Sequence, residues 1–311
     1  MRKKGSSGMM NRQAMRVCIV ACGLCGSEVG RGTDCPPSPL EKPGWTLTFD
    51  DEFNSPLLND TWWYPAYRSG RVDYLKRQGA TTIGHAKMYA NHNAYYRIEN
   101  GILKLIVDEN LPPRPNRGDP AVSCLCTSDH RFGANPQDVR VLDKFSQKYG
   151  WFEMRCKTVA GSGLYSAFWL HQVDPLDQEY KPDGTRRQVG DGVVEIDIFE
   201  QLGKDAAKGL NMFNIHFTKD AHHTLPMGFD PSMGFHVYAA DWREDGLDWY
   251  VDGKLICSHK GETPKKKMFV LLALFQLPWS GKLDPDTVYP KTFEVDYVRV
   301  YARNRQTRGQ K

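Results

Sequence analysis

Three carboxylates crowd one short stretch, Val193-Val194-Glu195-Ile196-Asp197-Ile198-Phe199-Glu200. The apolar, β-branched residues between them read as a strand, in which side chains two apart share a face. Glu195 and Asp197 therefore point the same way. The next position on that face is Phe199, and the third acid arrives one residue late, at Glu200. One extra residue, absorbed as a β-bulge, would return Glu200 to the face of the other two. Like charges so close are costly, and a strand gains nothing from them by packing. Such a cost is usually tolerated for chemistry or for a metal. Two carboxyl groups about 5 Å apart on one face suit retaining glycoside hydrolysis. One attacks the anomeric carbon; the other protonates the leaving oxygen and then activates water. The alternative is an exposed strand whose acids pair with Lys or Arg on neighbouring strands.

A strand carrying such a pair needs a sheet around it. The chain of 311 residues is long enough for one large domain, and its 28 Gly, 19 Pro and many aromatics suit short strands joined by turns. Trp45-Thr46-Leu47-Thr48-Phe49 alternates as a half-buried strand. Asn100-Gly101 is a hairpin turn between strands over 95–99 and 103–107. Residues 149–158 place Trp151, Glu153, Arg155 and Lys157 on one face and Phe152, Met154 and Cys156 on the other. Residues 164–171 are apolar enough for a central strand, as are 268–277. Further strands fall over 122–127, 139–145, 211–218, 235–242, 247–251, 254–258 and 293–301. No helix longer than about two turns is suggested. Strands without helical crossovers argue for an all-β sandwich of two antiparallel sheets. One domain is expected over 44–303, with a leader over 1–43 and a short tail over 304–311.

The leader holds Arg12 and Arg16 ahead of a short apolar run, and Ile19-Val20-Ala21-Cys22 is similar to a lipoprotein box. The expected location is secreted or attached to the cell envelope, with no membrane-spanning run. Taking the six bases and two acids of residues 1–35 from the chain's 41 and 37 leaves 35 of each. A neutral body without a basic stripe gives no electrostatic argument for nucleic acid. Of eight cysteines, Cys124, Cys126, Cys156 and Cys257 lie in the body. Their spacing is not that of a zinc site. They read as one or two disulfides if the protein is exported, or as buried thiols.

The order of motifs resembles glycoside hydrolase family 16, the β-jelly-roll endo-glycanases. The likeness covers about residues 44–302. Its markers are Asp51-Glu52-Phe53, Tyr149-Gly150-Trp151-Phe152-Glu153, Ser166-Ala167-Phe168-Trp169-Leu170, the acidic strand in its bulged E-x-D-x-x-E form, Trp249-Tyr250-Val251-Asp252-Gly253 and 295–301. Carried over, Glu195 resembles the nucleophile, Glu200 the general acid/base, and Asp197 the residue that holds the nucleophile. The resemblance also puts Trp169 beneath the sugar. Trp151 and Trp279 are further candidates for stacking, and His216 for a hydrogen bond to a hydroxyl or to Glu200. Tyr67, Arg68, His92 and Asn93 are candidates for outer subsites. Many family members bind a structural Ca²⁺ away from the cleft; here Asp296, Glu52 and the Gly101 carbonyl are the matching positions. No cofactor is implied for catalysis.

The implied activity is retaining, endo-acting hydrolysis of a polysaccharide by a monomer. β-1,3- or β-1,3/1,4-glucan is favoured slightly. Leu164-Tyr165-Ser166 stands where laminarinases commonly have Trp-Pro. With basic loops over 68–77 and 85–97, that departure keeps an agar, porphyran or carrageenan type of galactan open. A non-catalytic sugar-binding protein on the same fold is the reading from another class.

Overall fold

The computed structural model describes residues 33–65, 92–109, 121–132, 139–173, 194–217 and 220–304. The strands, in chain order, are β1 (Trp45–Asp51), β2 (Tyr96–Glu99), β3 (Ile102–Val107), β4 (Ala121–Cys126), β5 (Ser128–Phe132), β6 (Val139–Asp143), β7 (Gly150–Lys157) and β8 (Leu164–Gln172). They continue with β9 (Glu195–Leu202), β10 (Leu210–His216), β11 (Ala221–Pro226), β12 (His236–Arg243), β13 (Gly246–Val251), β14 (Lys254–Lys260), β15 (Met268–Gln276) and β16 (Lys291–Arg303). Helix is confined, among the described residues, to His92–Tyr95 and two 3₁₀ turns, Gly203–Lys208 and Pro278–Ser280.

Two antiparallel sheets make the sandwich. One runs β14-β13-β12-β7-β16-β3-β2, with β1 also on β16; the other runs β11-β10-β9-β8-β15-β4. β8 and β15 are neighbouring interior strands of the second sheet and are buried along their whole length, as their apolar sequences require. The inner faces meet through Phe152, Met154, Phe168, Phe199, Leu272 and Val298, all fully buried. Such burial, at about 25 cal/mol per Å² of apolar surface, is the main stabilising force across the sandwich. The Asn100-Gly101 hairpin is present, with φ of 55° and 75° at its two turn residues.

The outer face of β7 and β16 is not solvated as simple alternation implies. Residues 33–43 lie across it. The Cys35 amide donates to the Phe235 carbonyl (2.7 Å), and Arg155 Nε donates to the Cys35 carbonyl (2.8 Å). Arg299 Nη1 reaches the Ser38 carbonyl (2.7 Å), and the Tyr301 hydroxyl reaches that of Leu40 (3.0 Å). The boundary expected at residue 44 therefore does not mark the edge of the packed body, and Glu153 beneath this strap is fully buried. The five described cysteines, Cys35, Cys124, Cys126, Cys156 and Cys257, are all free thiols. The disulfide alternative fails for them. Among the described residues, no helix is long and apolar enough to cross a membrane.

Candidate active site

β9 carries the acids at the centre of the second sheet. Its ladder with β8 pairs Ala167 with Glu200 and Phe168 with Phe199, then slips so that Trp169 pairs with Asp197 and His171 with Glu195. The ladder with β10 slips at the same place, pairing Met212 with Glu200, Asn214 with Asp197 and His216 with Glu195. Cross-strand partners share a face. The slip thus takes up one residue and puts Glu195, Asp197 and Glu200 on one side of the strand, with Ile196 and Phe199 in the core. Across the sandwich, Trp249 Nε1 donates to the Asp197 carbonyl (2.8 Å) and ties the opposite sheet to the backbone at the bulge.

One carboxylate oxygen each of Glu195 and Asp197 and one ring nitrogen of His216 lie within 4.8 Å of one another. His216 Nε2 stands 3.3 Å from Asp197 Oδ2. Glu200 is held differently. The Tyr165 hydroxyl donates to its Oε1 and the Asn214 amide to its Oε2, both in close contact. Ala167, paired with Glu200, is small enough to let Tyr165 reach across from two residues away. Burial pushes the Glu200 pKa well above the usual carboxylate range. The negative charge of Asp197 adds to the rise, the Tyr165 hydroxyl opposes it, Glu195 adds again and His216 opposes. Burial and the same carboxylates raise Tyr165, so its hydroxyl keeps its proton and stays a donor.

Aromatic rings continue the face on one side. Trp169 is buried and tilted against Phe275 (centroids 6.0 Å), which stacks on Tyr165 (4.9 Å). Trp279, in the turn after β15, stands edge-on to Tyr165 (4.8 Å) and is 40% exposed. An exposed ring at the end of an aromatic row is a platform for the apolar face of a sugar. Trp279→Ala is expected to raise KM about 5–10-fold with kcat nearly kept, because a ring contact is worth about 1 kcal/mol. Initial-rate kinetics on a soluble polymer check it; an unchanged KM would place Trp279 outside the cleft.

Several expected positions lie elsewhere. Trp151 is on β7 in the other sheet, packed between Trp45 (6.1 Å) and Tyr250 (4.9 Å) with Lys42 over its ring (4.7 Å), so the structure does not bring it to the acids. His92 and Asn93 open the short helix before β2, with side chains outside what the structure describes. Tyr67 and Arg68 lie outside the described residues. The residues matched to Ca²⁺ do not fit a cation. Both Glu52 oxygens accept from Arg299 (2.6 and 2.9 Å), and Asp296 accepts from Arg155 Nη1 (2.7 Å). Two permanent guanidinium charges already neutralise the carboxylates that calcium would need. Gly101 remains at the β2–β3 turn.

Tyr165 and Asn214 are the site residues that sequence reasoning missed. A signal existed for each: Tyr165 is four residues before Trp169 in β8, and Asn214 two before His216 in β10, each on the face of the residue already singled out.

Several known glycanases are similar to this chain. The chain is 28% identical over 305 residues to glucan endo-1,3-beta-glucosidase A1 of Niallia circulans, an alignment covering 88% of this chain and 40% of that protein. It is 24% identical to endo-1,3-1,4-beta-glycanase EglC of Rhizobium meliloti, covering 85% and 53%. The chain thus spans only about half, or less, of the length of these relatives. Among solved structures, a GlcNAcα1-4Gal-releasing endo-β-galactosidase from Clostridium perfringens superposes with TM-score 0.66 at 26% identity, covering 87% of this chain and 65% of that one. The laminarinase catalytic domain of Thermotoga maritima gives 0.59 at 22%, covering 83% and 98%, and supports the jelly-roll fold. The family model of glycosyl hydrolases family 16 matches residues 135–297, which include β7 to β15 and all three acids. Over half of its length and at the strand that carries the carboxylates, the chain belongs to glycosyl hydrolases family 16.

Proposed function

We propose that the chain is a retaining, endo-acting glycanase that cleaves internal β-glycosidic bonds of a polysaccharide by double displacement. One observation carries the reading: a bulge brings Glu195, Asp197 and Glu200 to one face, where burial and the charge of Asp197 favour the protonated form of Glu200. In this reading Glu195 attacks the anomeric carbon while Glu200 gives its proton to the leaving oxygen. Asp197, beside His216, orients Glu195. Forming the glycosyl ester removes the Glu195 charge, which lowers the pKa of Glu200 and lets it take a proton from water in the second step. The two carboxyl groups suffice for this chemistry, and no cofactor enters it.

The substrate reading is β-1,3- or β-1,3/1,4-glucan, supported by the names of the sequence relatives. The superposition on an endo-β-galactosidase, together with Tyr165 in place of a Trp-Pro pair, supports a galactan as the second reading. Incubation with laminarin, mixed-linkage glucan, agarose, porphyran and κ-carrageenan, with sizing of products, tests both. Short and intermediate oligosaccharides from laminarin or mixed-linkage glucan are expected. Cleavage of the galactans alone moves the assignment to the second reading. Binding without new reducing ends on every polymer would make this a sugar-binding protein. The protein is taken to act as a secreted or envelope-attached monomer. Arg12, Arg16 and the Ile19-Val20-Ala21-Cys22 run support lipidation at Cys22, which metabolic labelling with palmitate tests.

A further inference from the structure

At the rim of the same face, the end of β10 and the start of β11 bring together His216, Asp220 and His222. One ligand atom from each lies within 4.8 Å of the others. Asp220 Oδ2 is 3.9 Å from His216 Nδ1 and 3.8 Å from His222 Nε2. These separations are too long for hydrogen bonds, so the three atoms surround a gap and do not close on one another.

Each ligand is also oriented from behind. His216 Nε2 faces Asp197 Oδ2 at 3.3 Å, and His222 Nδ1 faces Asn214 Oδ1 at 3.2 Å. In the neutral rings, the amide oxygen beside His222 Nδ1 and the carboxylate beside His216 Nε2 both favour a proton on those nitrogens. Lone pairs are left on His216 Nδ1 and His222 Nε2, the two atoms turned to Asp220. The Phe217 amide donates to Asp220 Oδ1 (3.3 Å) and leaves Oδ2 for the gap. Imidazoles fixed through their second nitrogen, beside a fixed carboxylate, are the arrangement that transition-metal sites use.

We propose that His216, Asp220 and His222 form a divalent transition-metal site of the Zn²⁺ or Co²⁺ type, with at least one coordination position open to solvent at the cleft rim. Zinc to nitrogen or oxygen distances of about 2.0–2.2 Å in a tetrahedron put ligand atoms about 3.4 Å apart. The two separations to Asp220 need to close by about half an ångström, and the two histidine ligand nitrogens, within 4.8 Å of each other, must draw together as well. Asp220 and His222 side chains are 54% and 55% exposed and can move that far. Two imidazoles and one carboxylate favour Zn²⁺ or Co²⁺ over Ca²⁺ or Mg²⁺, which prefer oxygen donors.

The cysteines of this chain could also take such metals, so the probe must separate thiolate from imidazole ligands. Titrating the full chain with Co²⁺ in chelator-free buffer is expected to give a saturable one-to-one visible d–d spectrum without a near-ultraviolet thiolate charge-transfer band. Asp220→Ala and His222→Ala are each expected to weaken binding at least tenfold, while His223→Ala, whose ring instead faces Trp249 at 5.9 Å, keeps it. Absence of saturable binding to the wild type would overturn the site. So would a thiolate band, or unchanged affinity in both Asp220→Ala and His222→Ala. None of these readouts depends on which polysaccharide is cleaved.

Discussion

Glu195→Ala is expected to lower hydrolysis by on the order of 10⁴- to 10⁶-fold, the scale seen when a covalent nucleophile is removed. The fold should survive. The substitution removes a negative charge beside Asp197 on the strand face and leaves the core residues Ile196, Ile198 and Phe199 untouched. Thermal unfolding near that of the wild type, with activity gone, is the expected pair of results. Glu200→Ala should cost comparably on natural polymers, because the departing sugar oxygen is a poor leaving group without its proton. On an aryl glycoside whose phenolate needs no proton, that variant should still form the glycosyl ester and then stall.

Added azide separates the two roles by stereochemistry. In Glu195→Ala it fills the space of the missing carboxylate and attacks opposite the leaving group, so a β-glycoside gives the α-glycosyl azide in one displacement. In Glu200→Ala, Glu195 has already inverted the centre once. Azide inverts it again and gives the β-azide. The same anomer from both variants, or full activity in purified Glu195→Ala, would remove the double-displacement assignment.

The parts of this site that were legible in the sequence are those that one strand determines by itself. The E-x-D-x-x-E spacing implied a bulge because only an inserted residue puts the third acid on the first two's face, and both ladders slip there. Asn100-Gly101 needed no knowledge of its partners, since its positive φ values are local. Contacts between strands were not legible. Nothing in Leu164-Tyr165-Ser166 says that residue 165 lies diagonally across from residue 200, because that depends on the β8–β9 register. β11 was missed for a different reason. Ala-His-His-Thr-Leu-Pro is a weak strand sequence, and it holds only as an edge strand on β10. The strap over 33–43 has no period at all. It is fixed by outward-facing Arg155, Tyr297, Arg299 and Tyr301, side chains that alternation alone assigns to solvent. Trp151 was misplaced by the same limit: period two gives the face of a strand and does not say which sheet the strand joins.

The titration of Glu200 gives the second large effect and can be read in two ways. In kcat/KM, the alkaline limb should follow loss of the Glu200 proton. The Tyr165 hydroxyl donates to Glu200 and favours its ionised form, so Tyr165→Phe should move the alkaline limb to higher pH. A roughly tenfold loss of rate is expected alongside, as for one well-placed hydrogen bond to a charged group. Stability supplies the independent reading. A carboxyl whose pKa is raised by folding contributes stability below its unfolded value of about 4.3, and that contribution is lost as pH rises through the folded value. Glu200→Gln cannot ionise, so relative to the wild type it should gain stability steadily as pH rises across that window. Each kcal/mol so gained should appear as about 2–4 °C in Tm for a domain of this size. Any fixed cost of the amide in place of the carboxyl shifts all pH values equally and leaves this slope unchanged. Should the variant instead lose ground as pH rises, Glu200 would be stabilised as a carboxylate, and the acid role would have to pass to another residue of the face.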